Sequence, residues 1–389
     1  MSHAAWNSEE LRALRATTTT FVQKEVLPYQ DAWEEAGELP RELHRKAGDR
    51  GLIGVAFPES AGGGGGGQRE AVTVGEALHE AGAAGGVYAS LFTAGIACPH
   101  IVTAGDQAQI DRWVAPTLAG EMIGALAVTE PSGGSDVGAL RTTARRDGDE
   151  YVVNGAKTFI TSGVRADFVT TAVRTGGDDL PGARGLSLLV IERGMPGFEV
   201  SRKLAKMGWR CSDTAELSFT DVRVPVENLV GPENVGFLLI GSAFLSERVA
   251  IAVQAYSQAQ RCLDLATVWC RERRTFGKPL IARQGVQNTL VEMARRIDVA
   301  RTYTRSVVDR YEDGEELINL IPQVCFAKNT ATETGEWVAN QAVQLFGGMG
   351  YMAESEVERQ YRDIRILGIG GGTVEILNDM AARRLGLTA

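Results

Sequence analysis

The 389-residue chain reads as an α+β protein in three parts, with helices first, strands next and longer helices last. Two observations predict this. Apolar residues recur at helical spacing up to about residue 122 and again from about residue 233, while the stretch between them alternates with period two. Turn clusters at Asp147-Gly148-Asp149, Asn154-Gly155 and Thr175-Gly176-Gly177 punctuate that alternating stretch. We therefore expect an N-terminal α-helical domain over 1–122, a middle antiparallel β-domain over 123–232 and a C-terminal α-helical bundle domain over 233–389.

In the first part, Ser8 precedes Glu9 and Glu10 and opens an amphipathic run through Leu11, Leu14, Phe21, Val22 and Val26 that ends before Pro28. Further helical patterns cover Pro40–Asp49, Gln68–Ala81 and Gln107–Leu118. Six consecutive glycines, Gly62–Gly67, satisfy a G-x-G-x-x-G fingerprint trivially after the apolar segment Leu52–Phe57. Pro58-Glu59-Ser60-Ala61 intervene and no strand–helix alternation follows, so the run reads as a flexible surface loop rather than a dinucleotide cradle. In the middle part, Tyr151–Ile160 resembles a hairpin turning at Asn154-Gly155, with further strands at Phe168–Val173, Leu186–Ile191, Phe198–Ser201 and Ala215–Val222. In the last part, a very long helix runs from Val235 to about Arg274. Others cover Gln284–Asp313 and Glu315–Leu345, and one follows Thr373; short connections imply a bundle.

Composition excludes several functions. The formal net charge is −9 and no Lys/Arg run occurs, which argues against a nucleic-acid partner. The longest uncharged stretch, Ala81–Pro99, is broken by glycines and hydroxyls, so no membrane span is expected. The first residues lack a cationic segment followed by an apolar core. Five cysteines without a C-x-x-C pair suggest reduced thiols in a cytoplasmic protein, and the four histidines lack metal-ligand spacing, so no metal is expected.

Four segments carry chemistry. TEPSGGSD (Thr129–Asp136) offers glycines for close backbone approach and the hydroxyls of Thr129 and Ser135 for an anionic group; a polar turn would look the same. KTFITSG (Lys157–Gly163) ends a strand with an aromatic and two hydroxyls, equally suited to packing at a sheet edge. RRTFGKPL (Arg273–Leu280) closes the long helix with a cation that suits either a phosphate or the helix dipole. Gln344–Ile376 holds two Gly-rich breaks around a charged helix, the second opening a helix at Thr373 whose first amides suit a phosphate or a carbonyl oxygen.

In this order and at these separations, the four segments resemble the acyl-CoA dehydrogenase family of flavoproteins, as does Lys206–Gly231 (KMGWRCSDTAELSFTDVRVPVENLVG). The resemblance spans nearly the whole chain. It implies a middle β-barrel, a C-terminal four-helix bundle and FAD held between the domains. It also implies a homotetramer (a dimer of dimers) in which each FAD lies partly against a neighbouring subunit, with electrons leaving to an electron-transfer flavoprotein or similar acceptor. Carried onto this sequence, it assigns Thr129 and Ser135 to the flavin and its pyrophosphate, Ser135 also to the pantetheine arm. Phe159 would pack on the isoalloxazine and Thr161 would bond near N5. Arg273, Phe276 and Gln284 become FAD contacts at the subunit interface. Gln344, Gly347 and Gly348 approach the adenine end of the neighbour's FAD, and Thr373 and Glu375 contact the nucleotide.

The implied reaction is α,β-dehydrogenation of an acyl-CoA to a trans-2-enoyl-CoA, with an α-proton taken by a base and a β-hydride by flavin N5. The base must be a carboxylate sheltered enough to be basic near neutrality. Many members carry it as the Glu of Y-E-G-T, but here the residues are Gly370-Gly371-Gly372-Thr373. Members similar to long-chain and isovaleryl-CoA dehydrogenases place a Glu on the long helix just before an Arg, and Glu247-Arg248 matches them. Spacing gives an independent check. Glu247 falls on an apolar stripe of Phe237, Ile240, Phe244 and Ile251, where an unpaired carboxylate is costly. An internal ion pair with Arg295 or Arg296 is the alternative explanation. The resemblance makes Arg248 a contact to the CoA arm, although Leu245 stands where some members have Asp. It makes the Gly371 N–H, with Gly372 beside it, the donor to the thioester oxygen. A bare Gly371 leaves room for Glu247. The same fold could serve a flavin oxidase or monooxygenase, a dehydrogenase of carrier-bound acyl thioesters, or a catalytically silent homologue.

Overall fold

The computed structural model describes residues 5–177 and 179–388. Helix α1 (Glu9–Phe21) starts where Ser8 Oγ accepts the Leu11 N–H, and it continues through a π turn, Val22–Val26, up to Pro28. Helix α2 (Gln68–Glu80) crosses behind α1. The glycine run before it is knit rather than flexible. The amides of Gly62 to Gly66 each donate to a backbone carbonyl between Gly54 and Glu59, and Gly67 N–H donates to Glu70 Oε2 at 2.7 Å. All six donors are consumed, so none is left to cradle a phosphate. A side chain at Gly63 would strike the Phe57 carbonyl, which gives glycine a packing reason there.

Seven strands form the middle part: β1 (Gly124–Ala127), β2 (Thr143–Asp147), β3 (Glu150–Thr161), β4 (Phe168–Arg174), β5 (Leu186–Glu192), β6 (Phe198–Lys203) and β7 (Thr214–Pro225). They pair in the order β1-β4-β2-β3-β7-β6, with β5 on β4. The sheet is mixed rather than wholly antiparallel, because β1 runs parallel to β4 and β2 meets β4 through one parallel pair. It curls around one core that draws Ala125, Val153, Val169, Leu189, Leu217 and Val224 from five strands. Asn154-Gly155 is no turn. It is a bulge inside the continuous strand β3, where Gly155 lies against Thr142 and no side chain would fit. The tight hairpin is one turn signal earlier, at Gly148-Asp149, with Asp147 opposite Glu150.

The expected very long helix is two helices. A short one, Gly236–Ser242, ends at Ala243, and α3 (Phe244–Glu272) leaves at an angle of 41°. Helices α4 (Gln284–Glu312), α5 (Leu317–Phe346), α6 (Glu356–Ile364) and α7 (Val374–Arg384) complete the bundle. Small residues let α3 and α5 approach closely: a Cβ at Gly335 would sit 3.1 Å from the Ala255 carbonyl. The five cysteines are free and buried.

Buried carboxylates join the three parts. Asp363 of α6 accepts the Gly85 amide of the helical part at 3.0 Å and the Trp209 amide of the sheet part at 2.7 Å. Glu76 of α2 takes Arg305 of α4, the Tyr256 hydroxyl of α3 and Arg15 of α1. Buried histidines set the acid limit. Burial, with Arg165 nearby, holds His44 down to about 4, and burial alone holds His79 down to about 3. Between pH 6.5 and those values only the unfolded chain takes up the protons, so stability falls on acidification. Asp363 opposes this, because burial raises its carboxyl to about 6 and folding then favours its protonation. One carboxyl against two imidazoles does not reverse the sign. The urea midpoint should therefore be lower at pH 5 than at pH 7, and a higher midpoint at pH 5 would contradict the assignment.

Candidate active site

The break at Ala243 puts Glu247 in the first turn of α3, facing the turn before α7. Glu247 Oε1 lies 3.4 Å, and its Cδ 3.7 Å, from the point a Cβ of residue 371 would occupy. Gly371 and Gly372 have φ of +63° and +93°, a conformation that favours glycine. Any side chain at 371 would also collide with Ile251, one turn beyond Glu247. The carboxylate is half-buried, 28% exposed, and Oε2 accepts from Arg248 Nη1 at 2.9 Å. Arg295 and Arg296 both pair with Glu292 instead, so the ion pair that Glu247 makes is with its neighbour Arg248. The apolar stripe is a weaker argument than its spacing suggested. The bend separates Phe237 and Ile240 from α3, and Phe237 is exposed. Ile251 is buried as expected, and the Phe244 side chain lies outside the described residues.

Sequence reasoning missed the support of this turn. Lys328 of α5 is fully buried, and its Nζ donates to the Gly372 carbonyl at 2.6 Å. The adjacent Asn329 donates to Val374 O at 3.2 Å and to Asn378 Oδ1 at 3.0 Å. Thr373 Oγ1 caps α7 by accepting the Ile376 amide, and Glu375 projects into solvent from the first turn. Burial, then Arg248, brings the Lys328 ammonium down to about 8, while Glu247 acts to raise it. The available signal was a Lys-Asn pair directly after the apolar run Val324–Ala327.

The first two glycine and hydroxyl motifs meet at one sheet edge. Thr158 N–H donates to Thr129 O at 2.9 Å, which places KTFITSG beside TEPSGGSD. Behind them, Glu130 accepts the Arg141 and Thr142 amides at 2.7 and 2.8 Å, the Thr142 hydroxyl at 2.5 Å and Lys157 Nζ at 3.0 Å. Lys157 is fully buried and also donates to Val128 O at 3.1 Å. Burial pulls its ammonium down to about 8 despite Glu130. Burial would raise the Glu130 carboxyl, but Thr142, Lys157 and the two amides outweigh it and hold it low. In front, Phe159 stands at φ +60° with 68% of its surface exposed. Thr161 closes the β3 ladder opposite Thr214, and the buried Ser162 Oγ has no partner among the described residues. Ser135 is exposed, and a Cβ at Gly134 would come within 3.1 Å of Thr129. A presented ring face, a partnerless hydroxyl and a loop opened by Gly133-Gly134 beside the Ser135 hydroxyl fit a planar cofactor with a phosphate arm.

A third cluster lies at the far end of α3. The Arg273 guanidinium sits 5.9 Å from the Trp269 ring centre, and Trp269 stacks at 4.7 Å on Phe346, which directly precedes Gly347-Gly348 and follows Gln344 by two residues. Phe276, 97% exposed, tips the two-residue hairpin Arg274–Thr275 with Lys278–Pro279, and exposed Gln284 opens α4. At 1.5 Å per residue, Arg273 is roughly 39 Å along the axis from Glu247. The residues singled out in the sequence therefore occupy three places, and within one chain the third cannot share a small ligand with the first.

Known proteins share this three-part fold. Models for the N-terminal, middle and C-terminal domains of acyl-CoA dehydrogenases match residues 8–121, 125–222 and 234–386. The mitochondrial long-chain specific acyl-CoA dehydrogenase of Rattus norvegicus is 38% identical over 378 residues, covering 97% of this chain and 87% of the relative. The crystal structure of acyl-CoA dehydrogenase from Geobacillus kaustophilus superposes with a TM-score of 0.92 at 37% identity, covering 97% and 98% of the two chains. A structure from Mycobacterium smegmatis assigned to the same family gives 0.97 at 67% identity, covering 99% and 100%. Fold and matches together define a flavoprotein oxidoreductase. The chain belongs to the acyl-CoA dehydrogenase family and is an oxidoreductase of that family, whose homologues act on acyl-CoA.

Proposed function

We propose that the protein binds FAD and catalyses α,β-dehydrogenation of an acyl-CoA thioester to a trans-2-enoyl-CoA, with Glu247 as the base. The observation that carries this reading is the Glu247 carboxylate set against the left-handed Gly371 turn. The Gly371 N–H donates to the thioester oxygen and stabilises the charge that develops as C2 loses its proton, an effect of about 2.7–4 kcal/mol for one such donor. Glu247 takes that proton, with Arg248 orienting its other oxygen. Arg248 also faces the CoA arm. Thr129, Ser135, Phe159 and Thr161 hold the flavin, with Thr373 and Glu375 toward the nucleotide. FAD bound there supplies the acceptor for the hydride leaving C3.

The third cluster serves the FAD of a neighbouring subunit, so the active form is a homo-oligomer, read as a homotetramer. The roughly 39 Å between Arg273 and Glu247 supports this, as does the exposure of Phe276, Val268 and Val291 around that end. An electron-transfer flavoprotein or similar acceptor reoxidises the flavin. Among the described residues no single helix is long and apolar enough to cross a membrane. The yellow holoprotein, titrated anaerobically with straight and branched acyl-CoAs, should be bleached by at least one of them. A flavin that stays oxidised across the whole panel would overturn the reading.

A further inference from the structure

Resting on the function proposed above, we propose that Lys328 is a positioning residue for the reaction. From α5 it fixes the Gly371–Gly372 turn against which Glu247 is set. Several observations carry this. Lys328 reaches the site from α5, a different helix from the one that bears the base, and its side chain is sealed from solvent. Its Nζ bonds the carbonyl of Gly372 at 2.6 Å, one residue from the amide that meets the thioester oxygen. Asn329 holds Val374 O at 3.2 Å, so α5 grips the turn on both sides of Thr373. A turn of successive glycines has no side chains to fix its own orientation, so these external bonds set where the Gly371 N–H points.

The titratable groups acting on Lys328 are Arg248 and Glu247 from α3 and Cys325 from its own helix. A buried cation is costly, and this one directs its charge at the Gly372 carbonyl, through the bond that holds the turn.

Two variants test this. Lys328→Met removes the donor, whereas Lys328→Gln keeps a donor one bond shorter. In anaerobic single-turnover reduction by a bleaching acyl-CoA, Lys328→Met should slow flavin bleaching by about 10- to 100-fold, with acyl-CoA affinity changed by less than about threefold. Lys328→Gln should lose less rate. Folded, flavin-loaded Lys328→Met that bleaches at the wild-type rate, or that loses acyl-CoA affinity rather than rate, would overturn the proposal. Loss of the fold in both variants would assign Lys328 to stability alone and overturn it equally. Glu247→Gln in the same assay keeps the two readings apart. Bleaching that survives in Glu247→Gln overturns the base, whereas a dead Glu247→Gln with unmoved Lys328 variants overturns only the role of Lys328.

Discussion

Glu247→Gln should lower the rate of flavin reduction by an acyl-CoA by about 10²- to 10⁴-fold, while acyl-CoA binding and flavin content stay near wild type. The substitution keeps the shape and one hydrogen-bonding oxygen but removes the proton acceptor. Glu247 is the carboxylate nearest the Cβ position of residue 371. Restoring a carboxylate at 371 does not offer a rescue. A side chain there meets Ile251 and must adopt a left-handed backbone at φ +63°, which costs roughly 1–2 kcal/mol for a residue other than glycine. A doubly substituted protein with Glu247→Gln and Gly371→Glu should therefore remain as slow as Glu247→Gln alone. Stopped-flow absorbance with matched binding titrations checks both expectations.

Lys157→Met should cost about 3–5 kcal/mol of stability, because it leaves Glu130 buried without its cation. The loss falls on the flavin side of the site. Glu130 holds the amides of Arg141 and Thr142, and Lys157 ties Val128 to the strand that presents Phe159. Flavin per chain should fall with stability, and both are measurable on the same sample by urea unfolding and absorbance. Adding Glu130→Gln should recover part of the loss, since the stranded charge disappears while most acceptor contacts remain. A double variant less stable than the sum of the two single ones would show that the ion pair is not the source.

Much of this was legible in the chain. Ser8 capping, Pro28 stopping and the period change near Ile123 mark elements that the structure contains because each signal is local. The misread features depend on partners distant in sequence. Asn154-Gly155 has ideal turn composition, but pairing with β7 on one side and Thr142 on the other makes it a bulge. The glycine run looks loose in sequence, yet the backbone of Gly54–Glu59 takes up its donors. The bend at Ala243 directly follows Gly241-Ser242, whose serine hydroxyl donates to the Leu239 carbonyl, and the stripe drawn across it overlooked that pair. Glu247 and Gly371, 124 positions apart in sequence, were linked by reciprocal loss and gain of a carboxylate, and the fold places them side by side. Glu130 and Lys328 escaped notice because sequence does not name the partner that buries a charge, although the apolar run before Lys328 marked the second of them.

Proton exchange at C2 tests the central claim most directly. An acyl-CoA analogue blocked at C3 cannot lose hydride, so solvent deuterium entering C2 reports proton removal alone. The wild-type holoprotein should exchange that position, and Glu247→Gln, equally loaded with flavin and analogue, should leave it unexchanged over the same period. Exchange at the wild-type rate in Glu247→Gln would contradict the assignment of the base.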